Sequence, residues 1–444
     1  MTFEEFQALV IAEAKAAGLT EYELYYAEEE SLDTSAMQGK ITGFANDKTA
    51  GCSFRCIVDG KAGSCSTELF TDSEASRIVR EAMDNAAYLN KEAAPIFGGS
   101  SAYPEVQNPA PEKADMRAMA LDLYHKTLAE DPRVQESSEN TIAEVKGSVR
   151  IINSAGLDLS NTYAFQLAMQ SAILREGDEM YDGDEYEVAP LASVHLEKIA
   201  KVAVENAKDT IGAEPVASGK YPVVFTGRAF ASLLGANAQI FSAKAAQNGL
   251  SLLAGKEGEQ IASPLVTIID DPLYAESGAK MPFDAEGVAT RTKKIVDGGV
   301  FSTLLYNLET AGKAGVESTG NASKASYSGA VGIAPFTFYL AAGDTEKEAL
   351  YQMADGGLII TSLAGLHAGL NPITGDLSLM ASGFRIENGK KGKPVNGITV
   401  SGNFFRMLES IKALGNDLEF GFPRGFTRIG STSVLVPELS VAGK

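Results

Sequence analysis

The sequence predicts an α+β fold in two parts, on three observations. Helical segments and strand segments occur in blocks rather than in strict alternation. The strand blocks in the first half are long and joined by short turns, which builds extended antiparallel sheets. The second half is dominated by short, glycine-punctuated strands, and the chain holds 44 glycines in 444 residues.

The elements follow in order. Thr2 and Glu5 form a capping-box pattern ahead of Phe6, Leu9, Val10 and Ala14, which predicts a first helix ending near Gly18. Residues 22–28 alternate as a strand and lead into a hairpin turning at Asp59-Gly60. Thr71 and Glu74 repeat the capping-box pattern before Ile78, Val79, Ala82, Met83 and Ala86, so a second helix follows. Residues 90–111 are rich in Pro, Gly, Ala and Ser and read as a crossing loop. A third helix is predicted over 111–130, long strands turning at 154–156 come next, and a fourth helix spans about 196–211. The stretch 213–220, broken by Pro215 and Gly219, is the boundary between an N-terminal part (1–215) and a strand-rich C-terminal part (219–444). Beyond it are a strand at 221–226, a helical stretch at 228–247, and further helices near 345–355 and 404–415.

Composition narrows the function. Lys plus Arg total 38 and Asp plus Glu total 58, a net charge of −20. That balance repels phosphate backbones, so direct nucleic-acid binding is not expected. Basic or neutral peptides suit it better. No apolar run reaches the length of a membrane span. The first residues carry early acids and no basic region, and read as a helix rather than a signal peptide; a cytoplasmic location is expected. Cys52, Cys56 and Cys65 cluster in one hairpin, are odd in number, and read as buried free thiols. No phosphate-binding glycine loop occurs in strand-to-helix context, and no serine-hydrolase elbow occurs with a usable histidine and acid.

Several ordered segments carry a resemblance. They are GKYPVVF (219–225), GKEGEQIAS (255–263), TIIDDP (267–272), FDAEGVATR (283–291), STGNAS (318–323), TGDLS (374–378), GFRIENGK (383–390) and GNDLEF (415–420). In order and spacing they resemble the TldD/PmbA family of peptide-processing proteins. Catalytic members of that family hold zinc with two histidines of an HExxxH helix and a later cysteine. Three protein ligands leave one coordination position for a water that the metal acidifies. In this chain the metal helix corresponds to 233–249, where 235–240 read Gly, Ala, Asn, Ala, Gln and Ile. The third ligand falls in 422–430, and no cysteine follows Cys65. The three histidines, His125, His195 and His367, are at least 70 residues apart. The resemblance therefore implies the TldE/PmbA type. It implies no catalytic residue, no metal and no cofactor in this chain, with zinc in an HExxxH-bearing TldD-like partner. It implies a heterodimeric protease for unfolded or extended peptides, which trims leader segments and degrades a small antitoxin in the roles described for the family. The family's older name, modulator of DNA gyrase, requires no DNA contact. The alternative is a homodimer that binds peptide without catalysis.

Polar residues inside the matched segments, Asn321, Asp376, Ser378, Asn388 and Asn403, with Glu387, are candidates to line a peptide channel or a subunit interface. Turn chemistry is the plainer reading of the same residues. His367 is a candidate acid–base group or peptide contact, or a histidine at a loop bend. His125 is structural or surface-exposed, and His195 caps or packs a helix start. Asp270 and Asp271 are adjacent on a strand, point to opposite faces and suit a strand-end turn. Asp284 and Glu286, two apart, can share a face.

Overall fold

The computed structural model describes every residue except Asn90, Lys91, Pro109 and Ser137. Of the predicted loop over 90–111, those first two positions and Pro109 lie outside the described residues.

The N-terminal part is one antiparallel sheet covered by helices on one face. Helix α1 (Phe3–Ala16) opens with the predicted capping box: the Glu5 amide donates to Thr2 Oγ1 at 3.3 Å, and Glu5 Oε2 accepts from the Thr2 amide at 2.9 Å. Strand β1 (Tyr22–Met37) is longer than predicted and turns at Gln38-Gly39 into β2 (Lys40–Val58). Residues 28–35, all polar but Leu32, hide the strand from a hydrophobic reading, because they are held by pairing with neighbouring strands rather than by apolarity. The Asp59-Gly60 turn then leads to β3 (Lys61–Thr67), both turn residues having positive φ.

Helix α2 (Asp72–Leu89) keeps only half of its predicted box. Thr71 Oγ1 accepts from the Glu74 amide, while the Glu74 carboxylate turns to Thr67 and Arg77. Helix α3 (Met116–Glu130) begins five residues later than expected, capped by Asp115, whose Oδ1 accepts from the Ala118 amide at 3.1 Å. Strands β4 (Asn140–Asn153), β5 (Asp158–Glu176) and β6 (Glu179–Val188) precede α4 (Leu196–Lys208). The strand order is β3-β2-β1-β4-β5-β6.

Side-chain parity explains the layering. Leu24, Tyr26, Cys52, Phe54 and Cys56 face α1 and α2, while Ile142 and Ala168 face α3 and α4. Residues of opposite parity, among them Tyr25, Val149, Ile151 and Tyr163, pack instead against Met281, Phe283 and Phe336 of the C-terminal part. Cys52 and Cys56 are buried free thiols, and Cys65 is half-buried.

Two glycines let the helices sit this close. A Cβ at Gly63 would lie 1.9 Å from the Ala82 carbonyl oxygen of α2, and one at Gly183 would lie 2.2 Å from the Ala207 amide of α4. Gly63→Ala must push α2 off the sheet, and is expected to cost about 1–3 kcal/mol of stability. A thermal melt unchanged from wild type would show that α2 tolerates the displacement.

The C-terminal part starts with β7 (Gly219–Phe225). The expected single helix over 228–247 is broken into α5 (Gly227–Asn237), a 3₁₀ turn (Ala238–Phe241) and α6 (Ala243–Gln247). The break falls where the Asn237 side chain donates back to the Leu233 carbonyl and Ile240 and Phe241 turn into the core. The helix expected to 415 ends at Ser410, and Ala413–Leu414 joins a sheet. Strand Leu358–Ala364 runs parallel to β7, and Val434–Ala442 runs antiparallel to it. Pairing of Thr399 with Ala442 and Ser401 with Ser440 brings Lys390–Asn403 back to that last strand, so this sheet wraps round on itself. A second sheet holds Ile268–Asp270, Lys293–Asp297, Thr337–Leu340 and Arg428–Ser431. Phe230, Leu233 and Leu234 of α5 sit in the core shared by both sheets. No helix among the described residues is long and apolar enough to cross a membrane.

Candidate functional site

The surface where the two parts meet encloses a cleft of about 700 Å³, within the size range of ligand sites. Its apolar wall is Tyr25, Tyr163, Phe283, Phe336 and Phe426. Its polar lining includes Glu28, Glu29, Glu68, Lys324 and Arg424. A smaller adjoining hollow adds Glu30, Lys48 and Lys146.

The loop carrying Lys324 and Tyr327 crosses from the C-terminal part onto the N-terminal sheet. Lys324 Nζ donates to Ser53 Oγ at 2.7 Å and lies 4.4 Å above the Tyr25 ring. The Tyr327 hydroxyl donates to Glu68, and a Cβ at Gly51 would strike the Tyr327 ring at 2.6 Å. Glycine at 51 is what allows the loop to lie flat on β2.

A buried group of charges lies beside this loop. Glu23 pairs with Arg55 at 3.6 Å. Burial raises the Glu23 carboxyl, and Arg55 and Lys324 oppose that rise. Burial pushes Asp284 up to about 7, against three backbone donors: Glu286 and Val288 on one oxygen, Ala322 on the other. Burial, then the Asp284 carboxylate, pushes Glu286 up to about 8; the Leu308 amide donates to it at 2.8 Å. Lys324 is held down at about 8, first by burial.

The structure places the sequence candidates in three groups. Asp376, Ser378 and Asn403 come together on one exposed sheet end. Asn403 Nδ2 donates to Asp376 Oδ1 at 2.9 Å, and Ser401 Oγ donates to Ser378 Oγ at 3.2 Å. Hydrogen bonds from Asn403 and then Thr374 lower the Asp376 carboxyl below its usual range. His367 is exposed on the loop leading to this end, where Gly369 and Ser378 bond. Asn388 lies apart, at a hairpin turn with φ of 56°. Asn321 is fully buried and donates to Asp270 Oδ2 at 2.7 Å, within a network that also holds Lys293. Asp271 takes the strand-end role, accepting from the Leu273 amide and the Thr292 hydroxyl, whereas Asp270 is a core residue. His195 stands at the start of α4, with Nδ1 3.1 Å from Glu187; the His125 ring meets Tyr124 edge-on. Sequence reasoning missed Ser53, Arg55 and Lys324. The available signals were the alternation along β2 and the position of Lys324 directly after the matched STGNAS segment.

The two segments implied to carry metal ligands do meet. A Cβ at Gly235 of α5 would lie 3.3 Å from Ile429 Cγ1 on the strand Arg428–Ser431. The residues at this junction are glycine and isoleucine, which offer no donor to a metal. Among the described residues no three His, Cys, Asp or Glu side chains are grouped to hold an ion. The family's zinc does not fit these residues.

Models of the PmbA/TldA metallopeptidase match three stretches: domain 1 over 22–86, the central domain over 105–211 and the C-terminal domain over 218–443. The chain belongs to the PmbA/TldA metallopeptidase family. It is 24% identical to the metalloprotease PmbA of Escherichia coli O157:H7, over 98% of this chain and 95% of that one. It is similar to a crystal structure from Thermotoga maritima, described as a candidate modulator of a DNA gyrase, with a TM-score of 0.89, 32% identity, and coverage of 99% of this chain and 100% of that one. TldE from Thermococcus kodakarensis shares the fold, with a TM-score of 0.87 at 21% identity, covering 98% of this chain and 99% of that one. The family thus accounts for the α+β architecture and for the long antiparallel sheets. The domain 1 match ends at 86, the central match runs from 105 to 211 and the C-terminal match begins at 218.

Proposed function

We propose that this chain is a TldE-type subunit of a metallopeptidase complex that acts on extended peptides. It shapes a peptide chamber with an HExxxH-bearing, TldD-like partner, and the partner holds the zinc. The observation that supports this reading is the close approach of Gly235 to Ile429, an apolar junction between the two segments that the resemblance implies would carry metal ligands. Likeness in fold to TldE is consistent with it. Peptide enters through the cleft. Its aromatic wall accommodates side chains, and its mixed lining of carboxylates (Glu28, Glu29, Glu30, Glu68) and cations (Lys48, Lys146, Lys324, Arg424) offers partners to polar groups along a peptide. The exposed group of His367, Asp376, Ser378 and Asn403 belongs to the surface that meets the partner. The complex works in the cytoplasm.

The test is cleavage of an unstructured peptide by the chain alone and mixed with an HExxxH homologue from the same organism. Chelator-sensitive cleavage is expected only in the mixture. Chelator-sensitive cleavage by this chain alone would overturn the assignment. A stable homodimer that holds peptide and gains nothing from the homologue would establish the alternative, a peptide-binding module.

A further inference from the structure

Two segments of the C-terminal part, 322–336 and 420–427, reach onto the N-terminal sheet and border the cleft. They are attached in different ways. The second is held by aromatic packing: the Phe426 ring meets Tyr163 edge-on at 4.8 Å, and Phe422 meets Tyr186 at 5.9 Å. The Tyr186 hydroxyl also donates to the Phe420 carbonyl at 3.3 Å, and the Thr427 hydroxyl to the Pro335 carbonyl at 2.6 Å. The first segment narrows to a two-residue ladder, with Ala322 opposite Ile333 and Ser323 opposite Gly332. Past that ladder is a tip, 325–331, of small residues around one tyrosine. Ala325, Ser326, Ser328 and Ala330 in it are exposed.

The root of this segment is fixed and its tip is attached at one point. Lys324, at the root, is anchored by Ser53 and stands over the Tyr25 ring. Among the described residues of the tip, Tyr327 alone packs against the apolar cluster of Tyr25, Val149 and Phe283, and its hydroxyl donates to the exposed Glu68 carboxylate. The tip's other bonds are its own: the Gly329 amide to the Ser326 carbonyl at 3.1 Å, and the Ser326 and Ser328 hydroxyls at 3.1 Å. A short ladder, an exposed tip and one solvent-facing hydrogen bond place this element at the low-stability end of the fold. The strand beneath is shaped for the closed position. Gly51 lies inside β2 and is not among the glycines with positive φ, so no turn demands it there. A Cβ at 51 would strike the Tyr327 ring at 2.6 Å, which marks Gly51 as a site of close approach. Ala27 stands opposite Gly51 in the β1–β2 register and lines the cleft, so the ring lies beside it.

We propose that 325–331 is a lid on the cleft, latched by Tyr327 on Glu68 and Gly51 and hinged between the anchored Lys324 and Gly332, and that an extended peptide enters by lifting it. Opening breaks the Tyr327–Glu68 hydrogen bond and lifts the ring from β2, while Lys324 and the aromatic hold of 420–427 keep the two parts together. Closing over a bound segment excludes water from it. The peptide half of the proposal rests on the reading of the cleft as a peptide entrance; the lid itself does not.

The experiment places a thiol beneath the lid, Ala27→Cys, in the full chain without a partner, and follows its alkylation by fluorescein maleimide. Peptide mapping separates this thiol from the native ones, of which Cys52 and Cys56 are buried. Tyr327→Phe keeps the ring and loses the hydrogen bond, and should speed alkylation about 5-fold. Tyr327→Ala loses both and should speed it about 50-fold. Gly51→Ala, which drives the ring off β2, should act in the same direction. Thermal melts report the folding of each variant. A fluorescein-labelled unstructured peptide of Gly, Ser, Lys and Tyr should associate faster with the same variants, without Ala27→Cys, in the same order. Alkylation at the wild-type rate in folded Tyr327→Phe and Tyr327→Ala overturns the lid. Faster alkylation with unchanged peptide association overturns its role as a gate. Peptide bound by none of the variants, with alkylation still responding, overturns the cleft as a peptide entrance and leaves the lid standing.

Discussion

Asp270→Ala is expected to destabilise the C-terminal part by about 3–5 kcal/mol, among the largest single effects in the molecule. Asp270 is fully buried, and its two oxygens are all used. One accepts from the Phe336 amide at 2.7 Å, and the other accepts from Lys293 Nζ and Asn321 Nδ2. Removing the carboxylate leaves a lysine whose side chain is 8% exposed without its counter-charge. The loss should be read as a drop in melting temperature. Asn321→Ala should cost less, about 1–3 kcal/mol, because it removes hydrogen bonds but leaves the ion pair. A double variant, Asp270→Ala with Lys293→Met, should recover much of the loss, since it takes away the stranded charge. If Asp270→Ala melts within a degree of wild type, water reaches Lys293 and the network is not the buried pair described here.

The same network shows what the sequence could and could not reveal. Asn321 was a candidate because it sits in the matched STGNAS segment, and turn chemistry was the competing reading. Neither describes a residue that joins Asp270 to Lys293 across 51 and 28 positions of chain. Pairings of that range depend on which strands become neighbours, and local patterns do not encode that choice. The helices were readable because their signals are local: Thr2 with Glu5, and the apolar spacing of Ile78, Val79, Ala82 and Ala86. Strand β1 was readable only where hydrophobicity marks it. Its polar second half, past Glu28, is held by β2 and β4 on either side. The apolar junction of α5 with the strand Arg428–Ser431 was legible in part. The residue identities are in the chain, whereas the contact of Gly235 with Ile429 needed the fold. The Ser53–Lys324 pair was invisible, because its members are 271 residues apart and belong to no spacing motif.

Glu286→Gln is expected to stabilise the protein at pH 8.5 by about 1–2 kcal/mol and to change it little at pH 5.5. The direction follows from the proton balance. Burial and the Asp284 carboxylate raise Glu286 to about 8 in the folded chain, whereas an unfolded glutamate titrates near 4.3. Between those values the folded state binds more protons, so its stability falls as pH rises. The contribution is whole below about pH 4 and is lost as pH climbs through about 8. Asp284, raised to about 7, works in the same sense, although its three backbone donors resist the shift. Glu286 is the clearer test because a single backbone donor, from Leu308, supports it. It is opposed by Asp284 and Glu23 and aided by Arg55. Glutamine keeps an oxygen for the Leu308 amide and carries no charge to bury, so the pH dependence of the melting temperature between 5.5 and 8.5 should flatten. Parallel profiles for wild type and variant would mean that Glu286 is already ionised and solvated in the folded protein. The junction between the two parts would then be wetter than its burial indicates.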